Sequence, residues 1–139
     1  MTQEEIQKII DTIPEPFRTV IQMPSFSIDY KVSEGANDHA FFKEHGYEAT
    51  MAQDCTYYVL GLGGISLSSY GNWGTLYDGS KKNESFELFL QMYEKKIIQL
   101  WRIRIYIHRN DSVISYDYST GCGWKMYNGD SWVSTDSPI

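Results

Sequence analysis

The side chains best suited to chemistry fall into a few groups. Arg102, Arg104, Tyr106 and His108 recur at every second position, with Asp117 downstream. On a strand that spacing puts them on one face. There the guanidinia can receive an anion, or simply line the wet side of an antiparallel sheet. His39 and His45, with Asp38, Glu44 or His108, offer nitrogen and oxygen donors to a metal. Their separation does not place both rings on one helix face as i, i+4 would, and no third ligand is fixed by spacing. Surface histidines, and no metal or other cofactor, are expected.

Gly61–Leu62–Gly63–Gly64 resembles part of a phosphate loop, but no Walker Lys or helix-opening GxGxxG accompanies it. The glycines lead into Ile65 and Leu67, so a turn or bulge is the expectation. Cys55 lacks any local signature of a catalytic thiol and reads as an inert core residue. Cys122, between Gly121 and Gly123, reads as an exposed thiol. No GxSxG occurs, and no carboxylate pair is singled out by spacing. Catalysis is therefore not expected.

The remaining concentration is aromatic: Tyr70, Trp73, Tyr77, Trp124, Tyr127 and Trp132. Trp and Tyr join an apolar body to a polar tip and dominate binding hot spots. The stretch from Tyr70 to Lys82 also holds Gly71, Gly74, Asp78 and Gly79, the composition of a recognition loop, with Trp73 as its anchor. The competing reading is that several of these rings fill the core.

Elements must position these groups. Phe86, Phe89, Leu90, Tyr93, Ile97, Leu100 and Trp101 form one helical stripe, capped by Asn83 or Ser85. At Trp101 the period changes from 3.6 to 2. Trp101, Ile103, Ile105 and Ile107 then form the apolar row of a strand. A turn at Asn110–Asp111 pairs Ile107 with Ile114, Ile105 with Tyr116, Ile103 with Tyr118, and Arg104 with Asp117. One long helix thus runs into a hairpin.

Upstream, Thr2 and Glu5 suggest a capping box, Ile6, Ile9, Ile10 and Ile13 a helix stopped by Pro14, and Phe17, Val20 and Ile21 a further turn. Phe26, Ile28, Tyr30 and Val32 alternate as a strand. Asp38 caps a short helix to His45, and Asp54–Leu62 reads as a strand. Asn128–Gly129 signals a type I′ hairpin before a final strand at Trp132. No βαβ alternation appears. The fold class is α+β: a mainly antiparallel sheet, a meander in its C-terminal half, with an N-terminal helix and one long helix on one face. One domain over 1–139, fraying from 134, is expected.

The net charge is −6 on 139 residues, which argues against direct nucleic-acid binding. It suits a basic protein partner, since complementary charge speeds encounter. No apolar run reaches the roughly 20 residues of a membrane helix. The N-terminus lacks a leader pattern, so a cytoplasmic protein without membrane attachment is expected.

In size, acidity and the order of helix then hairpin, the chain resembles bacterial toxin-immunity proteins and phage-encoded inhibitors. The resemblance is one of style; it rests on no motif and transfers no residue. The expected function is a non-catalytic binding or inhibitor protein that occupies a partner's surface. The alternative is a domain that binds or sequesters a small anionic or aromatic ligand in an aromatic-lined pocket, Arg102 or Arg104 reading the anion. A small enzyme is the third reading. The expected contact residues are Tyr70, Trp73, Tyr77, Asp78, Arg102, Arg104, Trp124, Tyr127 and Trp132.

Overall fold

A computed structural model describes residues 1–69 and 72–139. Tyr70, an expected contact residue, and Gly71 lie outside the described residues. The sheet is built around β1 (Ser27–Val32), where Ile28 and Tyr30 are wholly buried while Ser27, Asp29 and Lys31 point the other way. On one side of it lie β5 (Trp73–Tyr77), β4 (Ile65–Leu67), β3 (Tyr57–Val59) and β2 (Ala49–Met51). On the other lie β6 (Ile98–Arg109), β7 (Ser112–Ser119), β8 (Gly123–Tyr127) and β9 (Trp132–Ser134). Every pairing is antiparallel.

The helices are α1 (Gln3–Thr12), α2 (Phe17–Ile21), α3 (Asp38–Glu44) and α4 (Glu84–Glu94), with a 3₁₀ helix at Asp78–Lys82. α2 and α4 lie on β6, and α1 lies on α4. Ile6, Ile9, Ile10, Phe17, Val20, Leu88 and Phe89 meet Ile28, Ile103, Ile105 and Tyr116 in one core. Burying each large side chain there contributes about 1.5–3 kcal/mol. Among the described residues, no helix residue lines the depressions on the opposite face of the sheet. The α+β reading therefore holds, with the sheet antiparallel throughout.

The β6–β7 hairpin has the register that alternation dictates: Ile103 opposes Tyr118, Arg104 opposes Asp117, Ile105 opposes Tyr116 and Ile107 opposes Ile114. Asn110 and Asp111 both take positive φ, 48° and 65°, which makes the connection a two-residue type I′ turn. Thr2 caps α1 by accepting from the Glu5 N–H at 3.1 Å.

Other expectations are corrected. The long helix stops at Glu94 instead of reaching Trp101. Lys96 adopts φ 61°, its N–H bonds the Tyr93 carbonyl, and the Ile97 N–H bonds the Met92 carbonyl. That is a Schellman stop, normally marked by glycine; here lysine occupies it, so the sequence hides it. Ile98 then opens β6 three residues before Trp101.

From Asn72 to Lys82 the chain is also less of a loop than its glycines suggest. Trp73–Tyr77 is an interior strand between β4 and β1. Gly74 permits it: a Cβ there would lie 2.3 Å from the Tyr30 hydroxyl. Asn37, not Asp38, caps α3 through its side chain. Asp38 instead turns inward, wholly buried, and accepts a hydrogen bond of 2.8 Å from Tyr30.

The strand expected over Asp54–Leu62 is only Tyr57–Val59, paired with the short β2. Cys55 is exposed in the connecting turn at φ 64°, not a core thiol. Asn128–Gly129 is not a two-residue turn: Tyr127 pairs with Trp132 around a four-residue loop. The Asn128 side chain accepts there from the N–H groups of Asp130 and Ser131. The Thr135 N–H still bonds the Trp124 carbonyl, so the sheet holds the first part of the tail.

Candidate functional site

The helix-free face of the sheet carries the groups that chemistry could use. Register places them. Asp29 on β1 is flanked by Thr75 on β5 and Arg102 on β6. Arg104 stands across from Asp117, which stands across from Lys125. The Thr75 hydroxyl donates to Asp29 at 2.7 Å. Arg104 forks onto Asp117, Nε to Oδ1 at 2.7 Å and Nη2 to Oδ2 at 2.9 Å. Arg102 Nη2 reaches the same Oδ2 at 3.0 Å.

Burial alone would raise the Asp117 pKa. The hydrogen bonds from Arg104 and Arg102 outweigh it and hold the carboxyl below its usual value. The same bond to Asp117 holds the Arg104 guanidinium firmly charged.

The sign of the linkage follows. A depressed carboxyl adds stability that is present above its unfolded value of about 3.9 and is lost as pH falls through the folded value. Asp117→Asn is expected to cost about 1 kcal/mol at pH 7, since the pair is partly solvated. It is also expected to flatten the acid limb of stability below about pH 4. Urea unfolding across that range measures both effects. An unchanged acid limb would place acid lability elsewhere.

Aromatic rings frame this network. The Arg104 guanidinium lies 5.3 Å over Trp132, and Tyr127 packs on Trp132 at 5.4 Å. The Lys31 ammonium lies 4.8 Å from the centre of Trp101. Trp73 is 51% exposed and Tyr77 42%. Three adjoining depressions, about 350, 270 and 510 Å³, run across the face, and Arg102 borders all of them. They are shallow and open rather than enclosed. A larger hollow of about 560 Å³ lies at the far ends of α1 and α4, by Tyr93 and Leu100. It borders none of these arginines or tryptophans.

Trp73, Tyr77, Arg102, Arg104, Tyr127 and Trp132 thus share one face. Trp124 does not: it is 8% exposed and packs on Tyr118 beneath the sheet. Asp78 begins the 3₁₀ helix and lies outside the three depressions.

Sequence reasoning missed Trp101, Asp29, Lys31 and Lys125. Trp101 was expected in the buried row with Ile103. A β-bulge opposite Asp29–Tyr30 re-phases β6 and turns Trp101 onto the open face. Its trace is the apolar spacing Ile98, Leu100, Ile103, Ile105, which steps by three once instead of two.

Cys55 and Cys122 are exposed free thiols, and two of the histidines are engaged with backbone carbonyls. The His39 ring bonds the Ser68 carbonyl at 2.6 Å, and the His45 ring bonds the Phe41 carbonyl at 2.9 Å. Among the described residues no three His, Cys, Asp or Glu side chains converge as metal ligands do. The Gly61–Gly64 turn offers a carbonyl rather than a nest of N–H groups: Gly63 accepts from Asn83 and Ser85 at the start of α4. No described helix is long and apolar enough to cross a membrane.

Comparison with known families, with curated proteins and with solved structures returned no match. The site is therefore read from its own chemistry.

Proposed function

We propose that this chain is a non-catalytic binding protein that occupies a partner protein's surface through the open face of its sheet, in the manner of an inhibitor or immunity protein. The supporting observation is the uncovered face itself. Trp73 and Trp101, on the interior strands β5 and β6, and Trp132, on the edge strand β9, stand there beside an Arg–Asp network. Interface hot spots are built of Trp, Tyr and Arg. Shallow depressions suit a protein surface better than a small molecule, which a concave pocket would enclose. The net charge of −6 favours long-range encounter with a basic partner, and a cytoplasmic setting is part of the proposal.

Trp73→Ala tests this reading. It is expected to leave the melting temperature almost unchanged, because the ring is half solvated. It is expected to weaken partner binding by about 2 kcal/mol or more. The partner is isolated with the wild-type chain by pull-down from the source cell and mass spectrometry, then titrated against both chains. A destabilised variant that binds normally once folded would end the idea.

A further inference from the structure

The open face is charged opposite to the rest of the molecule. The residues lining its depressions include Lys31, Arg102, Arg104 and Lys125, against Asp29 and Asp117. Four cations and two carboxylates give it +2; the chain's net charge is −6, so the remainder carries −8. The cations are not equally engaged. Arg104 is forked onto Asp117 and stacked on Trp132. Arg102 donates one hydrogen bond among the described residues, from Nη2 to Asp117. Its Nη1 makes a long ion pair with Asp29 Oδ2 at 3.8 Å, beyond hydrogen-bond reach, while Thr75 donates to the other oxygen, Oδ1. A guanidinium has five N–H donors in a planar fork. Arg102 therefore presents unused donors at the point where the three depressions meet.

Resting on the docking-face reading above, we infer that the partner contacts this face with an acidic segment. A carboxylate seats on Arg102, and an adjacent aromatic or aliphatic side chain lies on Trp73 and Trp101. Fork-to-carboxylate pairing is the strongest match for a partly desolvated guanidinium. A nucleic-acid strand is the poorer fit: a local +2 neutralises few phosphates, and the surrounding −8 repels the rest. Net acidity steers the approach at long range, whereas contact is governed by the charge of the face.

The probe is a random peptide library displayed on phage and selected on the full chain. Selected peptides are then synthesised and titrated by tryptophan fluorescence, with oligothymidylate run alongside. Enriched sequences are expected to place Asp or Glu beside an aromatic or aliphatic residue. Arg102→Gln is expected to weaken them at least tenfold, and Arg102→Lys by less, both variants remaining folded at the titration temperature. Changing the peptide's acid to its amide in the Arg102→Gln background is expected to cost little more.

Basic sequences, no enrichment, tighter binding of oligothymidylate, or indifference to Arg102→Gln would overturn the inference. Peptides lacking acids but released by Trp73→Ala would end this inference and leave the docking face standing. Peptides indifferent to both substitutions would end both.

Discussion

Gly74→Ala is expected to cost about 3 kcal/mol of folding stability or more, the upper end of what overpacking a core does. The added methyl would lie 2.3 Å from the Tyr30 hydroxyl, 2.4 Å from its ring carbon and 2.6 Å from the Ser66 carbonyl oxygen. None of these can retreat cheaply. Tyr30 is fully buried and tied to Asp38, and Ser66 is paired in the sheet with Thr75 on β5. Urea unfolding of the single variant measures the cost. The double variant Gly74→Ala with Tyr30→Leu isolates the cause, because contacting residues couple. Its cost is expected to fall below the sum of the two single costs. Simple additivity would show that Gly74 is required for some reason other than the passage of Tyr30 across it.

The second large effect is expected from Tyr30→Phe, about 1–3 kcal/mol at neutral pH and less in acid. The hydroxyl donates to Asp38 Oδ2, while Asp38 Oδ1 has no partner among the described residues. Burial raises the Asp38 pKa, and the Tyr30 hydrogen bond only partly opposes it. Burial and then the neighbouring carboxyl push the Tyr30 pKa well up, so the phenol stays protonated and donating.

A carboxyl whose folded pKa is raised binds its proton more tightly in the folded state. Its contribution is full below the unfolded value of about 3.9 and declines as pH rises through the folded value. Removing the hydroxyl lifts the folded value further. The gap between wild type and Tyr30→Phe should therefore widen between pH 4 and pH 7. A gap that stays constant would show that Asp38 keeps its charge state with or without Tyr30.

What the sequence discloses is what local chemistry decides. The β6–β7 hairpin is legible to the residue because a slip by one would turn Ile103, Ile105 and Ile107 to solvent. α1 is legible from its isoleucine stripe. The end of α4 is not, because Lys96 takes the left-handed conformation that glycine usually announces. Asp38 misleads for a related reason. Both Asn37 and Asp38 are good caps, and only tertiary structure shows that Tyr30 claims the second.

The candidate site is legible in part. Arg102, Arg104 and Asp117 belong to one hairpin, so their meeting follows from its register. Trp73 and Lys31 reach them only because β5 pairs with β1 and β1 with β6, contacts between distant stretches that no local pattern encodes. Trp101 joins them through a bulge that breaks the alternation used to place it.

The central claim, that the open sheet face is the docking surface, is tested most directly by the indole N–H resonances of the four tryptophans. Trp73, Trp101 and Trp132 stand on that face, while Trp124 lies beneath the sheet against Tyr118 and serves as an internal control. The ¹⁵N-labelled chain is titrated with the partner it captures. The account predicts that the three face indoles shift together, saturating at the stoichiometry of the complex, with Trp124 little changed. Saturable binding that leaves the three unmoved, or that moves Trp124 first, would contradict it.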